Sequence, residues 1–165
     1  MSSSSSHEFE TLRLWLRDGV DVYISPNSDV HFVFLATRKR IRLKVCTSLI
    51  DSLEWFSGSS CVAELNKKYQ EIRPTKADGS ASSFLDFAHY LYEKGILVEK
   101  DWMAKHLPAE KISRFSRQLN FFLDVEGSAS SALHIFQKIQ STRIALVGVG
   151  AVGSWILKEL LQIGF

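Results

Sequence analysis

Apolar and polar positions alternate along Val20-Asp21-Val22-Tyr23-Ile24-Ser25, which predicts a strand with one buried face. A second strand is predicted at Val30-His31-Phe32-Val33-Phe34-Leu35, after a turn at Pro26-Asn27-Ser28-Asp29. The alternation is cleanest in Arg40-Ile41-Arg42-Leu43-Lys44-Val45, with Ile41, Leu43 and Val45 on one face and basic groups on the other. Consecutive strands with short links predict an antiparallel meander with one buried face.

After this the period becomes helical. Thr47 or Ser48 can cap a first helix, and Ser48 with Asp51 three residues on has the capping-box spacing; Gly58 is a natural stop. Its apolar stripe is Leu49, Ile50, Leu53 and Phe56. Ser59 or Ser60 can cap a second helix with Val62, Leu65 and Tyr69 on its stripe, which Pro74 forbids from continuing. A polar loop through Asp78-Gly79-Ser80 leads to a third, where Ser83 and Asp86 repeat the capping spacing. Phe84, Phe87, Ala88, Leu91 and Tyr92 share its stripe, Gly95 ends it, and Ile96-Leu97-Val98 is a short apolar exit.

Residues 10–100 therefore predict an α+β winged-helix-like domain of three antiparallel strands and three helices, after a solvated tail at 1–9. Residues 101–112, polar and containing Pro108, are read as a linker. From 113 the pattern is a helix through Phe115, Leu119 and Phe122, a turn at Glu126-Gly127-Ser128, and a helix from Ala132 to Ile139. A strand, Arg143-Ile144-Ala145-Leu146-Val147, then runs into Gly148-Val149-Gly150-Ala151-Val152-Gly153 and a helix with Trp155, Ile156, Leu157, Leu160 and Leu161. This order predicts the opening α/β segment of a Rossmann-like domain, residues 113–165. No internal repeat is present.

Composition narrows the picture. The chain is 45% apolar and 23% charged with net charge +2, values of a globular protein with no whole-chain bias towards nucleic acid or membrane. Cys46 and Cys61 lack Cys-x-x-Cys spacing, so zinc and redox motifs are unsupported; free thiols suit a reducing cytosol. The serine-rich start lacks the basic and apolar regions of a signal peptide, and no apolar run approaches the roughly 20 residues that span a bilayer. A cytoplasmic location is expected.

The Gly-rich loop draws its meaning from its context, following an apolar strand and opening an apolar helix. Gly148 would permit the turn, Gly150 would let phosphates approach the backbone, and Gly153 would let helix pack on strand; free N–H groups at the helix start favour an anion. No Lys-Ser/Thr pair follows, so this is not a P-loop. The alternative is a turn that needs small residues for packing alone.

Arg114-Phe115-Ser116-Arg117-Gln118, then Gln137-Lys138-Ile139-Gln140, the strand and the loop ending in Ser154, form an ordered set. Together they resemble the opening of the ThiF/MoeB/HesA family, bacterial relatives of ubiquitin-activating enzymes. Phe115 replaces the usual Tyr, Ile139 the Leu and Ala151 a Gly. The resemblance covers residues 114–165. It implies ATP-dependent adenylation of a peptide carboxylate, with Gly148, Gly150, Gly153 and Ser154 at the nucleotide and Arg117 reaching its phosphates across a homodimer. Arg114 and Arg117 as plain surface ion pairs remain the alternative. The family's magnesium Asp and zinc cysteines would fall after Phe165, so residues 1–165 alone are not expected to adenylate.

Strands then helices ahead of such a segment resemble, in pattern and order, the RiPP recognition element, the PqqD-like module that binds leader peptides of ribosomally made, modified peptides. The same arrangement occurs in the microcin C adenylating enzyme. This implies a precursor peptide as partner, added as a strand beside Lys39 to Lys44, with Arg40, Arg42 and Lys44 suiting an acidic leader and Phe84, Phe87, Leu91 or Tyr92 walling a groove. The same cations serve equally as a charged edge that prevents aggregation, and the aromatics serve as core. Competing expectations are a ThiF-like peptide-delivery partner without ATP chemistry, a winged-helix DNA-binding protein with a Rossmann sensor, and an NAD-dependent oxidoreductase. No exposed helix face in the first domain is notably basic, which disfavours DNA. The oxidoreductase leaves Arg114–Gln118 unexplained.

Overall fold

The computed structural model describes residues 3–27, 29–72 and 83–165. They form an α+β chain that divides into two units, residues 1–102 and 103–165. The expected loop at 78–80, the stop at Pro74 and Ser28 of the first turn lie outside the described residues.

In the first unit, β2 (Val20–Ile24), β3 (Asp29–Phe34) and β4 (Arg40–Lys44) form the expected antiparallel meander in the order β2-β3-β4. Val30, Phe32 and Phe34 on the central strand are 0–1% exposed, whereas His31 and Val33 between them are only half-buried, so period-2 patterning translates directly into one buried face. Helices α2 (Thr47–Asp51), α3 (Val62–Ile72) and α4 (Phe84–Glu93) cover this face. The core joins Phe32 and Phe34 to Leu49, Val62, Phe84, Leu91 and Ile96. Phe84 lies at its centre, stacked on Phe56 at 5.8 Å and on Tyr69 at 5.3 Å.

At the start of α4 the capping box forms in full: the Ser83 hydroxyl accepts from the Asp86 N–H at 3.0 Å, and the Asp86 carboxylate accepts from the Ser83 N–H. The same spacing at Ser48 and Asp51 does not form one. The residue before α2 is Cys46, with no side-chain cap, and a 3-10 turn at Ser52–Trp55 follows. Helix α3 starts without a cap from Ser59 or Ser60; there the Glu64 carboxylate accepts from the Cys61 N–H at 3.1 Å.

Two features differ from expectation near the N-terminus. Residues 3–9 of the expected tail at 1–9 belong instead to α1 (Ser3–Thr11), anchored by Phe9, which packs its ring on His89 and Tyr92 of α4 at 5.0 and 5.7 Å. β1 (Leu14–Leu16) pairs antiparallel with β5 (Leu97–Glu99), so the apolar exit from α4 is a strand.

In the second unit, α5 (Ala109–Glu126) begins inside the expected linker and packs on α6 (Ala129–Ser141) through Phe115, Leu119, Leu123 and Phe136. Gly127, at φ +76°, closes α5 in the left-handed conformation, and Ser128 caps α6. Helix α7 (Ala151–Ile163) follows the Gly-rich loop. The expected strand 143–147 is not one: no described segment pairs with it, and a strand needs a neighbour to take its N–H and C=O groups.

Candidate functional site

The edge of β4 can be read atom by atom. Along β3, the even residues bond to β4, as the Phe34 N–H shows by donating to the Lys39 carbonyl at 2.9 Å, while the Ser25 N–H donates to Asp29 on the β2 side. The register pairs Val30 with Leu43 and Phe32 with Ile41. Ile41 and Leu43 therefore turn their backbone groups inward to β3, and Arg40, Arg42 and Lys44 turn theirs to the open edge. The three residues whose backbone donors and acceptors have no strand partner among the described residues also carry the cations.

These cations are not equivalent. The Arg42 guanidinium donates to the Asp29 carboxylate, with Nε at 2.9 Å, on the diagonal between neighbouring strands. Asp29 is 3% exposed, and Arg42 supplies its counter-charge. Arg40 instead lies over the Tyr23 ring at 5.8 Å, and Tyr23 stacks face to face on His31 at 4.6 Å. Asp29 was legible from sequence only as a turn residue. Its pairing emerges once the register sets Arg42 diagonally opposite.

Removing Arg42 would strand a buried carboxylate, which costs more than losing a surface pair. Arg42→Ala is expected to destabilise the first unit by about 2–3 kcal/mol, against about 0.5 kcal/mol or less for Arg40→Ala, in urea unfolding followed by circular dichroism. Equal losses would show that Asp29 does not depend on Arg42.

On α4, Phe84, Phe87 and Leu91 are 0–4% exposed and belong to the core, so they back any groove from inside and do not form its surface. Tyr92 is half-buried against Phe9 of α1.

Beyond β4 lies a cluster that sequence reading missed. The Ser48 hydroxyl is 3.0 Å from the Tyr69 hydroxyl and 3.2 Å from the Cys46 sulfur. Burial pushes the Cys46 thiol up, but the Ser48 hydroxyl, the Leu49 backbone and the Tyr69 hydroxyl together bring it below its ordinary value. At about pH 7.5, Cys46 is thus expected to react with iodoacetamide several-fold faster than Cys61. Peptide mapping by mass spectrometry reads both rates; equal rates would remove the effect.

In the second unit, Gly148 has φ +88°, and Gly150 precedes α7 with nothing within 4 Å of where a Cβ would stand. The first N–H groups of α7 have no side-chain cap, and the space over Gly150 is open. Gly153 is different: a Cβ there would fall on the Gly148 carbonyl oxygen, with the carbonyl carbon at 3.0 Å. The Ser154 hydroxyl donates back to the Ala151 carbonyl at 3.0 Å, and its N–H donates to Gly150. Arg114 and Arg117 separate cleanly. Arg114 donates to the Leu161 carbonyl at 2.9 Å in the last turn of α7, whereas exposed Arg117 has no partner among the described residues.

Val147, Val149, Val152 and Trp155 are exposed, and α7 buries none of its residues. Among the described residues no group of His, Cys, Asp and Glu is arranged to hold a metal ion, and no helix is long and apolar enough to cross a membrane. No family model, curated protein or solved structure matches the chain.

Proposed function

We propose that the first unit, read as a winged-helix-like recognition element, captures an acidic, extended precursor peptide by strand addition to β4. We further propose that the second unit is the nucleotide-binding opening of a ThiF-like adenylating domain, whose ATP phosphates would sit at Gly148, Gly150 and the start of α7. One observation carries the first half: the backbone groups of Arg40, Arg42 and Lys44 point to an open edge that is positively charged. The second half is supported by the order of Gly-rich loop and helix, the space over Gly150, and Arg117 left without a partner among the described residues while Arg114 is used structurally. ATP with magnesium would supply the activated phosphate; the residues here would bind and orient it.

A proline at Lys44 tests strand addition without disturbing the host sheet, because the Lys44 N–H faces away from β3 and edge strands tolerate proline there. Lys44→Pro is expected to bind an acidic leader-type peptide about fivefold to tenfold more weakly than Lys44→Ala, since both lose the charge but only one loses the donor. Fluorescence anisotropy measures this. Equal affinity of the two variants would remove strand addition. A nucleic acid bound through the same cations would instead show a steep loss of affinity with salt.

A further inference from the structure

The register at the β4 edge specifies more than an acidic partner; its selectivity rests on the strand addition proposed for that edge. Residues of an added strand that lie opposite Arg40, Arg42 and Lys44 would share their outer face. The residues between would fall beside Ile41 and Leu43, which are half-buried against the core. Arg40 and Lys44 have no carboxylate partner among the described residues, whereas Arg42 is already neutralised by Asp29.

We infer that the β4 edge selects a five-residue extended segment with carboxylates at positions one and five, apolar side chains at two and four, and an uncharged residue at three. The outer carboxylates meet Arg40 and Lys44, and the apolar pair completes the cover over Ile41 and Leu43. At position three a carboxylate gains nothing, because Asp29 occupies the Arg42 guanidinium and would repel a second acid. The pattern reads the same from either end, so it holds for parallel and antiparallel addition. Specificity here is set by Asp29, a residue that no peptide would touch as its main contact.

Three fluorescein-labelled peptides, titrated against the 165-residue chain, test this. The first has glutamate at one and five, valine at two and four, and serine at three, within Gly-Ser flanks. The second has the same composition with the glutamates adjacent and the valines adjacent, so no register satisfies both faces. The third is the first with aspartate at three. The first is expected to bind about tenfold or more tightly than the second, and the third no more tightly than the first. If first and second bind alike while Lys44→Pro still weakens both relative to Lys44→Ala, strand addition stands and the pattern is overturned. A third peptide that binds several-fold more tightly than the first would overturn the role of Asp29. If Lys44→Pro and Lys44→Ala do not differ for any peptide, or none binds up to about 1 mM, strand addition and the pattern fall together.

Discussion

Gly153→Ala is expected to disrupt the loop before α7, costing the second unit about 3 kcal/mol, whereas Gly150→Ala leaves its fold within about 0.5 kcal/mol. The contrast comes from the surroundings of each Cβ. At Gly153 it would strike the Gly148 carbonyl, a backbone group that no rotamer change can move aside, so the loop or the first turn of α7 must shift. At Gly150 it would meet nothing within 4 Å, and φ −74° suits an L-residue, so reduced freedom of the unfolded chain even favours alanine slightly. Function should reverse the order of the two effects. A methyl at Gly150 would occupy the space proposed for phosphate, so in the nucleotide reading Gly150→Ala folds but loses ATP affinity. Hydrogen exchange in the first turn of α7 reads the structural effect, and binding of a fluorescent ATP analogue reads the other. Rapid exchange in Gly150→Ala, or unchanged protection in Gly153→Ala, would contradict the packing assigned to the two glycines.

The sheet was legible because alternation from Val20 to Lys44 carries its own register: the even positions of β3, all apolar, are buried and the odd ones are not, Asp29 excepted. The capping box at Ser83 was legible because both of its bonds are local. The same spacing at Ser48 misled, since that hydroxyl finds Tyr69, 21 positions away, and a tertiary partner overrides a local one. β1 and β5 have three residues each, too few to display a period, and they meet only after α4 returns the chain. Residues 143–147 carry the apolar run of a buried strand, but pairing depends on a neighbour, which no pattern within the run can supply. For the candidate site, the cations of β4 could be read from sequence, whereas the inequality of Arg42 required knowing that Asp29 is buried beside it.

Phe84→Ala is expected to be the most damaging single change in the first unit, costing about 3–5 kcal/mol. The side chain is fully buried, stacked between Phe56 and Tyr69 with Trp55 at 6.4 Å, so truncation removes both the transfer gain and the ring contacts and leaves a cavity. Against a typical domain stability of about 5–15 kcal/mol, that loss takes a substantial share. The thermal midpoint should fall by about 15 °C or more for a unit of this size, as read by circular dichroism. In the strand-addition reading proposed above, peptide capture would weaken as well, because Tyr69 leans on Phe84 and its hydroxyl holds Ser48, just beyond the end of β4. That loss would come from the fold and not from a missing contact. Phe84→Leu separates the two causes: it refills most of the volume, so stability and peptide affinity should recover together. Should Phe84→Ala keep the parent midpoint yet lose the peptide, Phe84 would belong to the binding surface, contrary to its burial.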